Sequence, residues 1–200
     1  FSASKESKEQ LATLRTIGGD RELVAAFGRN EISSKTALLV KTIDLTTIAT
    51  QKYQGKYYPD APWIHMYDQD FPQLPKISAF SRCLKMCTNL ESLNIEELYY
   101  SIDQQNSLDE SSTDYDLIKN TKNTLNLILK LKNLTFLNTH KSFMDFSEES
   151  VFLDKFCEIL KTLTKLDHVS FSIFEDYSED NYNKLKNSIF NSNIHTVEIY

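Results

Sequence analysis

One apolar signature, L-x-x-L-x-L, recurs along this chain and limits its fold more than any other feature. It is clearest in Cys87-Thr-Asn-Leu-Glu-Ser-Leu-Asn-Ile95, where Leu90, Leu93 and Ile95 hold the three apolar positions. Val40, Ile43 and Leu45 repeat it, and further copies begin at Leu134, Leu166 and Ile194. Alternating apolar residues bury one face of a strand, and β-branched residues favour that state. Upstream of the last four copies lie apolar residues three and four apart, the period of a helix. These include Ile77, Phe80 and Leu84; then Leu125, Ile128 and Leu131; then Phe152, Phe156 and Leu160; then Leu185 and Ile189. The order is helix then strand, five times, which is the grammar of a repeat protein.

The copies begin at Val40, Leu90, Leu134, Leu166 and Ile194, so their separations are 50, 44, 32 and 28 residues. The last two separations fit leucine-rich repeats of the helix-containing, ribonuclease-inhibitor-like kind. The wider ones are repeats that carry insertions. Residues 51–75 hold all four prolines among Tyr53, Tyr57, Tyr58, Trp63, Tyr67 and Phe71, a composition that suits neither a regular helix nor a central strand. Residues 99–116 hold Asp103, Asp109, Glu110, Asp114 and Asp116 with no Lys or Arg, and read as a polar loop.

The predicted fold is therefore α/β: a leucine-rich-repeat solenoid with a parallel sheet on its concave face, helices on its convex face, and two long insertions. Parallel strands need long crossovers, which the helices supply. The array occupies residues 36–200, about five irregular repeats, and is expected to be part of a longer chain. Residues 1–35 form a helical lead-in. There Gly18-Gly19 breaks the helix, Asp20 is the expected N-cap of a helix over residues 21–27, and Gly28 is its expected stop. Ser147 is the expected N-cap of a helix over residues 151–163. A doubly wound nucleotide-binding fold is the alternative, but no glycine-rich phosphate turn follows any strand.

Composition narrows the function. A net charge of −6 argues against binding a nucleic-acid backbone. No apolar run reaches membrane-spanning length, and no signal-peptide pattern is present. Cys83, Cys87 and Cys157 have neither C-x-x-C spacing nor a histidine pair beside them, so they read as buried, reduced thiols in a reducing compartment, the cytoplasm or nucleus. No cofactor or metal site is predicted. The G-x-S-x-G, H-E-x-x-H and P-loop patterns are absent, so the chain is expected not to be an enzyme.

At Leu39-Val-Lys-Thr-Ile-Asp-Leu45, and again at Cys87-Thr-Asn-Leu-Glu-Ser-Leu-Asn-Ile95, the chain resembles fungal F-box/leucine-rich-repeat proteins. In that family "leu-val-lys-x-leu-asp-leu" opens many repeats and "cys-x-asn-leu-x-x-leu-x-leu" recurs through them. The resemblance covers roughly residues 36–200. It implies a substrate receptor of a ubiquitin ligase (SCF type), with an F-box before Phe1 held by a small adaptor and these repeats gripping the target. The alternative is a leucine-rich-repeat regulator or scaffold of another class, such as a small-GTPase regulator.

Alternation places the candidate partner-binding residues on the concave face: Ser92, Asn94, Glu96, Phe136, Asn138, His140, His168 and Tyr200. Trp63 and Tyr67 join them as anchors where the aromatic insertion is read as a binding loop; the equal alternative is a cap packed back over the first repeats. His140 and His168 are expected as neighbours on adjacent strands. Acidic residues gather after the strands and lysines before them. That pattern fits an acidic rim for a basic partner, and it fits complementarity with helix dipoles better.

Overall fold

The computed structural model describes residues 5–45, 77–96, 119, 121–140, 150–173 and 178–200. Both long insertions, with Trp63 and Tyr67, and the expected cap Ser147 lie outside the described residues. The elements run α1 (Lys5–Gly28), α2 (Ser34–Ala37), β1 (Thr42–Asp44), α3 (Ile77–Met86), β2 (Ser92–Asn94), α4 (121–128), β3 (Phe136–Asn138), α5 (Ser150–Thr162), β4 (His168–Phe171), α6 (Glu179–Phe190) and β5 (Thr196–Ile199). A helix precedes every strand, and the strands form one parallel five-stranded sheet in sequence order.

The register repeats as strictly as the order. Thr42, Ser92, Phe136, His168 and Thr196 lie side by side across the five strands. Each stands two residues after the first apolar position of its own copy. The junctions share one hydrogen-bond pattern. The amides of Glu91 and Ser92 both donate to the Lys41 carbonyl, those of Thr135 and Phe136 to Glu91, those of Asp167 and His168 to Thr135, and those of His195 and Thr196 to Asp167. The approach to the first four strands repeats too. The amides of Val40, Leu90, Leu134 and Leu166 each donate to the carbonyl three residues back, so one turn carries helix into strand four times.

Ile43, Leu93, Leu137 and Val169, one row of this register, are fully buried against the helices. They share a core with Leu23, Phe27, Phe80, Leu84, Ile128, Phe156 and Leu160. Each such side chain contributes about 1.5–3 kcal/mol through removal from water. Phe156 of α5 meets Phe171 of β4 edge-on at 5.2 Å. Thr139 takes the third apolar position of its copy, and its hydroxyl donates to the Ser170 carbonyl, which makes its burial tolerable. The three cysteines are buried and reduced. Cys83 and Cys87 sit 3.8 Å apart, and burial pushes the Cys83 thiol well above its usual pKa.

The lead-in departs from the expected pattern at Asp20, which does not serve as a helix cap. Its carboxylate accepts from Arg15 Nε and from the Asp44 amide, both at 2.7 Å. The helix does end at Gly28, as expected. The left-handed residue of the turn is Asn30, with φ 62°, while the Glu31 amide reaches back to the Ala26 carbonyl. Gly28 also serves packing, since a Cβ there would stand 2.7 Å from Ala79 Cβ on α3. The helix does break at the expected pair: Gly19 has φ 63° and ψ −155°. Further along, α6 begins at Glu179, earlier than its apolar period suggests, because Ser178 accepts from the Asn181 amide.

Candidate functional site

The side of the sheet away from the core carries the residues between the buried positions. Asp44, Ser92, Asn94, Glu96, Phe136, Asn138, His168 and Ser172 are half-buried there, and Thr42, Thr196, Glu198 and Tyr200 are exposed. Of the positions expected on this face by alternation, His140 is buried.

Their contacts run across the strands. The ring of Phe136 stacks on that of His168, the centroids 4.7 Å apart and the planes 18° from parallel. A large apolar ring on an open face is thus half-covered by its neighbour. His168 Nε2 faces Glu198 Oε2 at 3.5 Å, and the Tyr200 hydroxyl donates to the same oxygen at 3.4 Å. Tyr200 then leans back over β4, its ring 4.0 Å from that of His140. His140 Nδ1 and the Ser172 hydroxyl are 2.8 Å apart. Phe136, His168, Glu198, Tyr200 and His140 thus form one connected arc drawn from β3, β4 and β5. Within it Ser170 is only 1% exposed. The Glu198 carboxylate, more than any other influence, holds the Tyr200 phenol above its usual pKa, because removing the proton would set two negative charges together.

On the other half of the face, Asn138 Nδ2 donates to Glu96 Oε2 at 3.1 Å. The side-chain oxygens of Asn94 and Asn138 each accept from the amide two residues on, in Glu96 and His140. These two asparagines close the chain as it leaves its strand and fix where Glu96 and His140 point.

His140 and His168 are not neighbours, against expectation. His168 lies beside Phe136, whereas His140 lies two pleat repeats further along, beside Ser172. The two rings therefore have different partners and form no pair. Glu198 was not among the residues singled out from the sequence, although it joins the two ring pairs. Its equivalence to Asn138 and Asn94 in the repeated template was the available signal.

The helical side differs in charge. A cleft of about 1390 Å³ there has Arg82, Lys85 and Lys130 in its described lining, among serine, threonine and asparagine side chains. The described residues of the open sheet face hold Asp44, Glu96 and Glu198 and no Lys or Arg. Among the described residues no helix is long and apolar enough to cross a membrane. No family model matches the chain, and no curated protein or solved structure matches it either.

Proposed function

We propose that the chain is a non-catalytic, protein-binding leucine-rich-repeat solenoid. Its open sheet face grips a protein partner, and it serves as the substrate-recognition repeats of an F-box-type ubiquitin-ligase receptor. The observation that carries the binding role is the open face itself. Five strands in one register hold out rings, carboxylates and amides from consecutive repeats, on a side that the described helices leave uncovered. The repeated junction hydrogen bonds support the solenoid reading. The ubiquitin role rests on the resemblance at residues 39–45 and 87–95.

The full-length protein, tagged and cross-linked in cells, tests both parts. A ubiquitin-ligase adaptor among its partners is expected, together with a target whose cross-links fall on the open face. That target should be lost on Phe136→Asp with the adaptor retained. Absence of the adaptor overturns the ubiquitin role. A target indifferent to Phe136→Asp, in a protein that melts as the parent does, overturns the open face as the binding surface.

A further inference from the structure

The open face has a charge and a shape that select among partners. Glu96 and Glu198 share the described part of this face with no Lys or Arg, and two ring pairs lie beside Glu198. Glu198 accepts through Oε2 from Tyr200 and stands close to His168. Its side chain is 46% exposed. Glu96 is anchored through Oε2 by Asn138. Both carboxylates are thus oriented by neighbours while remaining open to solvent on one side.

Planar rings beside an oriented carboxylate suit a planar cation. A guanidinium stacks on aromatic faces and meets a carboxylate with two parallel N–H donors, which an ammonium cannot do. An apolar helix would set its greasy stripe against the Glu96 and Glu198 carboxylates and strip them of water. An acidic segment or a nucleic-acid backbone would meet charge of its own sign. The stretches that follow β2 and β4 in sequence add to that sign. Residues 99–116 and 174–177 hold five and two carboxylates with no Lys or Arg.

We propose that the open face binds an extended, arginine-bearing segment of its protein partner, with one guanidinium held at Glu198 between the Phe136–His168 and His140–Tyr200 ring pairs and a second at Glu96. This rests on the open face being the binding face. Glu96 and Glu198 belong to strands three spacings apart, about 14 Å at the backbone. Glu96 leans toward β3 and Glu198 toward β4, so the gap between the carboxylates is shorter than that. Two arginines four residues apart in an extended chain put both side chains on one face and span about 13 Å, which covers that gap.

The test uses the whole chain and a fluorescein-labelled peptide of glycine and serine carrying two arginines four positions apart, read by anisotropy at about 50 mM salt, where exposed charges are weakly screened. Matched peptides carry lysine or citrulline instead, the latter keeping the shape of arginine without its charge. The arginine peptide is expected to bind. Citrulline should weaken it about tenfold or more and lysine about threefold, as loss of charge and of planar pairing respectively. Glu198→Gln should weaken it about fivefold and Phe136→Leu about threefold, with unfolding midpoints unchanged.

The proposal is overturned if citrulline binds as arginine does, or if the arginine peptide does not bind at all. It is equally overturned if the double variant Glu96→Gln/Glu198→Gln binds as the parent does while neutralising the acids of 99–116 abolishes binding. A cellular target that cross-links to the open face but contacts it without any arginine or lysine would defeat this inference alone and leave the binding face standing.

Discussion

The two ends of the sheet are built from the same repeated unit and finished differently. At the first end, β1 turns the Thr42 carbonyl and the Asp44 amide away from β2. Arg15 Nη2 donates to that carbonyl at 2.6 Å, Asp20 Oδ2 accepts from that amide, and the two side chains bond to each other. The broken helix α1 thus satisfies a sheet edge with one ion pair. Asp20 is only 11% exposed at its side chain, so this pairing is sheltered from solvent. At the other end, β5 has β4 as its one strand neighbour among the described residues. Beside it α6 and β5 show Phe190, Tyr182 and Ile199 to solvent, at 78%, 48% and 48% exposure. A parallel repeat array has two edges by construction, and each unit buries its neighbour's apolar row. The contrast shows that the repeat does not finish itself: an edge is quiet only where something outside the repeat supplies its polar partners.

The sharpest way to break this comparison is through the shared core row. Leu93 is fully buried between two neighbouring strands, while Val197, four places on in the same row as Ile43, is only half-buried. Leu93→Ala is expected to lower stability by about 3–4 kcal/mol, through lost transfer energy plus the cavity left behind. Val197→Ala should cost about 1 kcal/mol, since less area leaves water there. Urea unfolding of both variants measures the gap. Equal losses would mean that the β5 end is as well packed as the centre.

The polar closure of β1 comes next. Asp20→Ala strands both Arg15 and the Asp44 amide, and is expected to cost about 2–3 kcal/mol as two charge-assisted hydrogen bonds are lost. Hydrogen exchange should show the Asp44 amide losing protection before those of β3. A loss below about 0.5 kcal/mol would make the pairing an ordinary surface ion pair.

Gly28→Ala probes the same end through packing. The added methyl meets Ala79 Cβ, and α1 must shift from α3 at a cost of about 2 kcal/mol. Ala79→Gly should restore part of that loss by making room, although glycine inside a helix itself costs about 1 kcal/mol. If the double variant is no better than the single one, the contact is not what limits Gly28.

These residues also mark what a reader of the sequence could and could not see. The L-x-x-L-x-L copies located all five strands, because alternation alone decides which side chains a sheet must bury. Aligned on their first apolar residue, they also carried the register, since Thr42, Ser92, Phe136, His168 and Thr196 all occupy the third place. The separation of His140 from His168 was open to the same arithmetic. His168 occupies the third place of its copy and His140 the seventh, so they share a face and not a row. Asp20 was different. A local rule made it a helix cap, whereas its partner, the Asp44 amide, lies 24 residues away and no spacing announces it. At Gly28 the helix end was legible and the packing was not. Glycine near a helix end suggests a stop, yet its missing side chain is required by another helix that packs there. The arc from Phe136 to Tyr200 lay between these cases: alternation put its members on one face, but only side-chain reach joins Tyr200 to a histidine two strands away.

The smallest expected effect on stability tests the open end directly. Phe190 packs little of its surface, so Phe190→Lys should change the unfolding midpoint by no more than about 0.5 kcal/mol equivalent. Its consequence should appear in association instead. An exposed ring with Ile199 next to it in the same shallow groove favours contact between chains of residues 1–200 as concentration rises. A lysine there adds charge and removes the apolar anchor, so sedimentation at high protein concentration should show less self-association for Phe190→Lys than for the parent. A control at the closed end, Arg15→Lys, keeps the charge but loses the forked donor that reaches both Asp20 and the Thr42 carbonyl. If Arg15→Lys changes association as much as Phe190→Lys does, the two ends are equally exposed to partners, and closure by α1 is not what distinguishes them.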